Sequence, residues 1–188
     1  MSKELSIKNM VCDRCIMAVK NTLEQLQIDY SSVTLGKAEL TQPISDEKLN
    51  QLEHQLQQIG FELLKDKKIQ LVEKVKNLII DHVHHQHTTL KVNLSDYLSD
   101  EISMDYGSIS KLFSEMEGTT IEKFVIAQKI EKVKELISYN ELTLSEIADV
   151  LNYSSVAHLS SQFKKVTGLT PTEYKLNNQN DRKPISGI

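Results

Sequence analysis

Leu98, Ser99, Ile102 and Met104 match Ile147, Ala148, Leu151 and Tyr153 at a shift of 49 residues. Ile109, Phe113, Gly118 and Phe124 match Leu159, Phe163, Gly168 and Tyr174 at a shift of 50. No other feature constrains the chain as much. Each copy of a repeat this long is a supersecondary unit that cannot bury its apolar face alone and must pack on a neighbour. The single extra residue falls between the two matched sets, in a turn.

Both copies follow one physical plan. A short helix carries a small residue, Ser99 or Ala148, where a second helix must approach closely. A tight turn follows with Ser103 or Asn152, and Asn tolerates a left-handed backbone. The next helix has one apolar face and one polar face. This is the pattern of a helix-turn-helix unit. Thr143-Leu-Ser-Glu146 reads as a capping box that opens the second copy. Between the copies, IEKFVIAQKIEKVKELI predicts a helix of about 18 residues, ~27 Å long, enough to set two recognition helices about one DNA turn apart.

The first third has a different periodicity. Leu5 and Ile7 alternate with polar neighbours, as in a strand. Ile16, Val19, Leu23 and Leu26 have helical spacing, and YSSVTLGKAEL predicts a hairpin turning at Gly36–Lys37. Ser45 precedes a helix marked by Leu49, Leu52, Leu56 and Ile59, which Gly60 stops, and FELL supplies a last strand. The order is βαββαβ. Ile69, Val72, Val75, Ile79 and Val83 then mark a long helix. The expected fold class is therefore α+β: a ferredoxin-like βαββαβ domain over residues 1–66, an all-α domain with two helix-turn-helix units over 67–178, and a tail over 179–188 that is expected to fray.

The segment LSEIADVLNYSSVAHLSSQFKKVTGLTPTEYK resembles the signature of AraC-type transcription regulators, and IQLVEKVKNLIIDHV resembles the opening helix of their DNA-binding domain. The resemblance covers roughly residues 68–176, and it implies double-stranded DNA as a partner. Asn152 stands where the family usually has Gly, and Ser161 where it often has Arg. Glu115 and Glu117 stand where many members have cations, and residues 67–188 hold 15 Lys and Arg against 16 Asp and Glu. Few phosphates can be neutralised, so binding is expected to be modest and salt-sensitive. With Leu159, Phe163 and Val166 assigned to the core, Ser155, His158, Ser161, Gln162 and Lys165 face outward as DNA-contacting candidates. With Ile109, Leu112, Phe113 and Met116 assigned to the core, Tyr106, Ser108 and Lys111 do the same in the first copy, beside Glu115. Gln can bond adenine with both amide atoms, and Lys can reach guanine.

The chain has two cysteines, Cys12 and Cys15, and a two-residue spacer reads as a metal or redox pair. MVCDRC, after a strand and opening a helix, resembles the motif of heavy-metal-associated domains, with Met10, Cys12 and Cys15 matching and Asn9 replacing Gly. Gly60-Phe61 matches the aromatic that often sits beside the metal loop in that family. The resemblance covers about residues 3–66 and implies a soft ion such as Cu(I) held by Cys12 and Cys15, with Met10 as packing. Two thiolates suit such an ion, and the helix N-terminus and Arg14 add positive potential. Zn(II) would want four ligands, which a dimer or a His would have to complete. A docking domain without metal and a redox pair are the alternatives. His82, His84, His85 and His87 crowd the end of the long helix, either as a metal cluster or as a polar helix terminus.

The remaining composition narrows the classes. Hydrophobic residues at 39% and charged residues at 26% describe a foldable, soluble chain. No stretch reaches the length of a membrane span and the N-terminus lacks a signal-peptide core, so no membrane partner and a cytoplasmic location are expected. There is no Ser/His/Asp set, phosphate loop or paired catalytic carboxylates, so an enzyme is not expected. These features together predict a sequence-specific DNA-binding regulator responsive to a soft metal, with a homodimer and a metallochaperone as further partners. The alternative is a metal carrier whose helical half docks a partner protein.

Overall fold

The computed structural model describes residues 4–85 and 93–177. They divide into two compact units. The first comprises residues up to Leu78 with Ile102–Met104, and the second Ile79–Glu101 with the residues from Asp105 onward.

In the first unit the elements run β1 (Glu4–Lys8), α1 (Asp13–Gln25), β2 (Tyr30–Thr34), β3 (Lys37–Leu40), α2 (Asp46–Gln58) and β4 (Glu62–Leu64). The strands form one four-stranded sheet in the order β2-β3-β1-β4, with every neighbouring pair antiparallel. Leu5 stands opposite Ala38 and Ile7 opposite Leu63. Alternation along each strand sends Ile7, Val33, Ala38, Leu40 and Leu63 into a core shared with Val19 and Leu23 of α1 and Leu52 and Leu56 of α2. Gly36 turns the β2–β3 hairpin at φ +77°, and a Cβ there would collide with the Asn77 side chain. Ser45 caps α2 by accepting from the Lys48 backbone N–H.

The long helix α3 (Lys67–His84) runs through the boundary between the units. It is followed by α4 (Leu94–Ile102), α5 (Tyr106–Glu117), α6 (Ile121–Tyr139), α7 (Leu144–Val150), α8 (Val156–Thr167) and α9 (Pro171–Asn177). Among the described residues, no helix is long and apolar enough to cross a membrane.

The repeat is written into the backbone. Ser103 and Asn152 both adopt left-handed conformations, at φ 58° and 56°. Gly118 and Gly168 cap the ends of α5 and α8 at φ 66° and 82°. Asp105 caps α5 by accepting from the Ser108 N–H, and Ser155 caps α8 by accepting from the His158 N–H. The predicted capping box is present: the Thr143 hydroxyl accepts from the Glu146 N–H while the Glu146 carboxylate accepts from the Thr143 N–H. Ile147, Ala148, Leu151, Leu159, Phe163 and Tyr174 share a core with Ile130, Val133 and Ile137 of α6.

Two core assignments are corrected. Val166 is half exposed, and Met116, at the matching position of α5, is 45% exposed. Both lie in the last turn of their helix. Phe163 is covered by Tyr174 and Phe113 contacts Phe124, so the packed layer closes one turn earlier and apolar periodicity outruns it. Leu112 is only partly buried. The tail over 179–188 and His87 lie outside the described residues.

Candidate nucleic-acid interface and cysteine loop

The second helix of each copy carries the outward-facing candidates. On α5, Ser108 and Lys111 are exposed. Tyr106 is not free: it is half-buried and its hydroxyl donates to Glu122 Oε1 at 2.6 Å. Burial, then that bond, raises the Tyr106 phenol well above its ordinary value, and the same bond lowers Glu122. Tyr106 therefore ties the start of α5 to the start of α6.

On α8, His158, Ser161 and Lys165 are exposed. Ser155 is exposed as well, but its oxygen is engaged as the N-cap of α8. Gln162 is partly buried, and its Oε1 accepts a hydrogen bond from the Tyr153 hydroxyl at 2.7 Å. The oxygen keeps a second lone pair, so this bond is compatible with the expected two-atom contact of Gln162 with adenine. Burial pushes the Tyr153 phenol up to about 12, so at neutral pH it remains a donor. His158 rests edge-on against the Tyr153 ring, centroids 5.3 Å apart, and its Nδ1 is 3.0 Å from Ser154 Oγ.

Sequence reasoning missed Tyr153 and Ser154 as parts of this site. A signal existed for the first: Tyr153 replaces the Met104 of the other copy, and a buried Tyr hydroxyl needs a partner. Beneath Tyr153, Lys129 Nζ lies 5.2 Å from its ring centroid and donates to the Leu151 carbonyl at 2.8 Å. This places a cation at the C-terminal end of α7, where the helix dipole favours it, and burial lowers the Lys129 ammonium from its ordinary value.

In the first unit, Cys12 is the N-cap of α1 and Cys15 sits in its first turn. Their sulfurs are 3.5 Å apart, and both residues are partly exposed. Asn9, at the position where the resembling motif has Gly, has φ 72° and donates from Nδ2 to the Gly60 carbonyl at 2.9 Å. Left-handed geometry explains why Gly or Asn suits that position. Met10 is fully buried beneath the loop, as a packing residue should be.

His84 is buried, and its Nε2 pairs with Gln128 Oε1 at 2.9 Å. Among the described residues, no three His, Cys, Asp or Glu side chains converge as a metal site. His82, His84 and His85 thus do not form one within that set.

A family model described as a helix-turn-helix domain matches residues 98–177. The probable transcriptional regulator LumQ of Photobacterium leiognathi is 27% identical over 104 residues, covering 55% of this chain and 42% of that protein. The xylose operon regulatory protein of Escherichia coli is 32% identical over 80 residues, covering 43% of this chain and 20% of that protein. The chain thus spans less than half the length of these curated relatives, a probable transcriptional regulator and an operon regulatory protein. Among solved structures, the C-terminal domain of the two-component response regulator YesN from Fusobacterium nucleatum is 27% identical with a TM-score of 0.46, covering 54% of this chain and 98% of that one.

Proposed function

We propose that residues 98–177, which match a helix-turn-helix family model, form an AraC-type DNA-binding domain, and that this protein is a sequence-specific regulator of transcription whose DNA affinity answers to a soft metal ion. The observation that carries the first half of this reading is the doubled unit on α6. Two helices, α5 and α8, begin with equivalent caps and end with equivalent left-handed glycines, and each exposes polar side chains opposite a buried Phe. That arrangement suits two helices entering successive major grooves. The DNA-contacting set is Ser108, Lys111, Ser155, His158, Ser161, Gln162 and Lys165, with Tyr106 bracing α5.

The second half of the reading concerns residues 1–66, taken as a ferredoxin-like domain of the heavy-metal-associated kind. The donor set fits a soft ion: two sulfurs 3.5 Å apart, partly exposed, at a helix N-terminus. Cys12 and Cys15 would hold Cu(I) between them as thiolates. The ion is the signal, delivered by a metallochaperone, and a homodimer would raise DNA affinity by doubling the phosphate contacts.

The test is retention of the full chain on DNA from its own upstream region, with and without Cu(I), under anaerobic conditions. Specific retention that changes with Cu(I), together with loss of one tight Cu(I) equivalent in the Cys12→Ser, Cys15→Ser double variant, supports both halves. Tight Cu(I) binding that survives the double variant removes the loop as the site. Absence of specific retention under every metal condition overturns the regulator reading in favour of a metal carrier whose helical half docks a protein.

A further inference from the structure

The chain has no third cysteine, so a disulfide within it has one possible pairing, Cys12 with Cys15. The backbone already brings the two together. The N–H groups of Cys15 and Ile16 both donate to the Cys12 carbonyl, at 2.9 and 3.3 Å. A turn closed in this way sets the two Cα atoms ~5 Å apart, inside the roughly 4.4–6.8 Å that disulfides span. The sulfurs stand 3.5 Å apart, so side-chain rotation without backbone movement can bring them to bonding distance.

Neither sulfur is held back. Cys12 makes no capping bond with its side chain. Cys15 Sγ meets the Asn9 carbonyl at 4.0 Å, a weak contact for a thiol. The chain before them is anchored instead: Asn9 Nδ2 donates to the Gly60 carbonyl at 2.9 Å, and Met10 is fully buried. The bond would close a loop of only four residues, Cys12 to Cys15. The shortest loops gain the least stability from cross-linking, so such a bond suits exchange better than stapling. The two thiols are not equivalent. Cys15 packs against the core of the first unit, whereas Cys12 stands ahead of α1 as its N-cap. Exchange depends on access, which favours Cys12 as the sulfur that reacts first.

We propose that Cys12 and Cys15 form a dithiol–disulfide switch toward small disulfides such as oxidised glutathione, with Cys12 attacking and Cys15 resolving. The Cys12 thiolate attacks one sulfur of oxidised glutathione, forming a mixed disulfide and releasing the first glutathione thiolate. The Cys15 thiolate then attacks Cys12 Sγ and releases the second. The protein loses two electrons and two protons, and oxidised glutathione takes up both to become two molecules of glutathione. The consequence for metal rests on the reading of this loop as a Cu(I) site. A sulfur bonded to sulfur is no longer a thiolate ligand, so the oxidised loop holds no ion. A loop that holds Cu(I) in turn has no free thiolate with which to attack.

The test uses the full chain, reduced and metal-free, in anaerobic glutathione buffers of stepped oxidised-to-reduced ratio. Each sample is quenched with an alkylating agent and weighed intact. The wild type is expected to pass from two alkylated thiols to none, losing the mass of two hydrogens and remaining a monomer on a non-reducing gel. Cys15→Ser should stop at a single glutathione adduct, and Cys12→Ser should form its adduct roughly tenfold more slowly. One equivalent of Cu(I), placed by competition with a chromogenic chelator, should protect the reduced wild type, and the oxidised wild type should take none. Circular dichroism checks each fold; where a single variant does not fold, the wild-type mass change alone decides. A wild type that carries two glutathiones, links into dimers or stays reduced at the most oxidising ratio overturns the switch. A Cys12→Ser variant that reacts faster than Cys15→Ser overturns the assignment of the attacking sulfur. Clean disulfide formation in a chain whose reduced form takes no Cu(I) overturns the metal reading and leaves the switch standing.

Discussion

Phe163 meets Tyr174 edge to face, ring centroids 5.5 Å apart at 72°, and Phe113 meets Phe124 in the same manner at 5.7 Å and 62°. The two ring pairs are 50 residues apart in the chain and close the same corner of each copy. In each, a ring from the second helix of the unit is held by a ring from the helix that follows it. Such pairs add about 0.5–1.5 kcal/mol to the burial of the rings themselves.

Phe163 is fully buried among Leu159, Ile147 and Tyr174. Phe163→Ala is therefore expected to destabilise the second unit by ~3–5 kcal/mol, from lost transfer energy plus the cavity left behind. Urea unfolding followed by circular dichroism measures this, and a loss below ~1 kcal/mol would mean that the site collapses freely or that Phe163 is not part of the core.

His84 gives the fold an acid sensitivity of known sign. Burial holds its imidazole below its ordinary value; the Gln128 bond opposes this, Lys132 and His85 reinforce it, and Glu135 opposes it. Above the unfolded-state value of about 6.5 the ring is neutral in both states and stability is at its full level. As pH falls through that value the unfolded chain takes the proton first, so stability drops by up to ~1.4 kcal/mol per pH unit until the folded-state value is passed. Unfolding free energies at pH 7.5 and 5.5 should differ in this direction. His84→Gln should flatten the dependence, and an unchanged slope in that variant would assign it to other groups.

The helices α5 and α8 carry opposite charges at one matched position, Glu115 on α5 and Lys165 on α8, both exposed. If Lys165 meets phosphate, Lys165→Ala weakens binding to all sequences alike and lowers the slope of log affinity against log salt by about one. Glu115→Lys is expected to do the opposite, strengthening binding and steepening the slope by about one. Fluorescence anisotropy over a salt series reads both. A Lys165→Ala variant that changes base preference but leaves the slope unchanged would move Lys165 from the backbone to a base edge.

Much of this architecture was legible because it depends on local rules. Left-handed turns at Ser103 and Asn152, glycine caps at Gly118 and Gly168 and the Thr143–Glu146 box all follow from residues within a few positions of one another. The site was less legible because its side chains are engaged by partners that periodicity cannot see. Tyr106 points along a helix face that looks free in the sequence, yet Glu122 lies 16 residues on and accepts a hydrogen bond from its hydroxyl. Gln162 looks like an unrestricted amide until Tyr153 folds back over it. Val166 and Met116 show the converse: spacing alone continues an apolar face past the point where the neighbouring helices stop covering it.

The length difference between the two copies is confined to Ser154, and α6 explains why a turn can accept it. Buried residues of α6 serve the first copy through Ile121 and Phe124, and the second through Ile130, Val133 and Ile137. One residue added within this helix would rotate everything beyond it by about 100° and advance it by ~1.5 Å. The exposed face of α8 would then point in a different direction relative to that of α5. A residue added at Ser154 leaves that phase untouched, because α8 still docks on α6 through Leu159 and Phe163. The connecting helix thus acts as a crankshaft: its length fixes the phase between α5 and α8, and growth is tolerated only off the shaft.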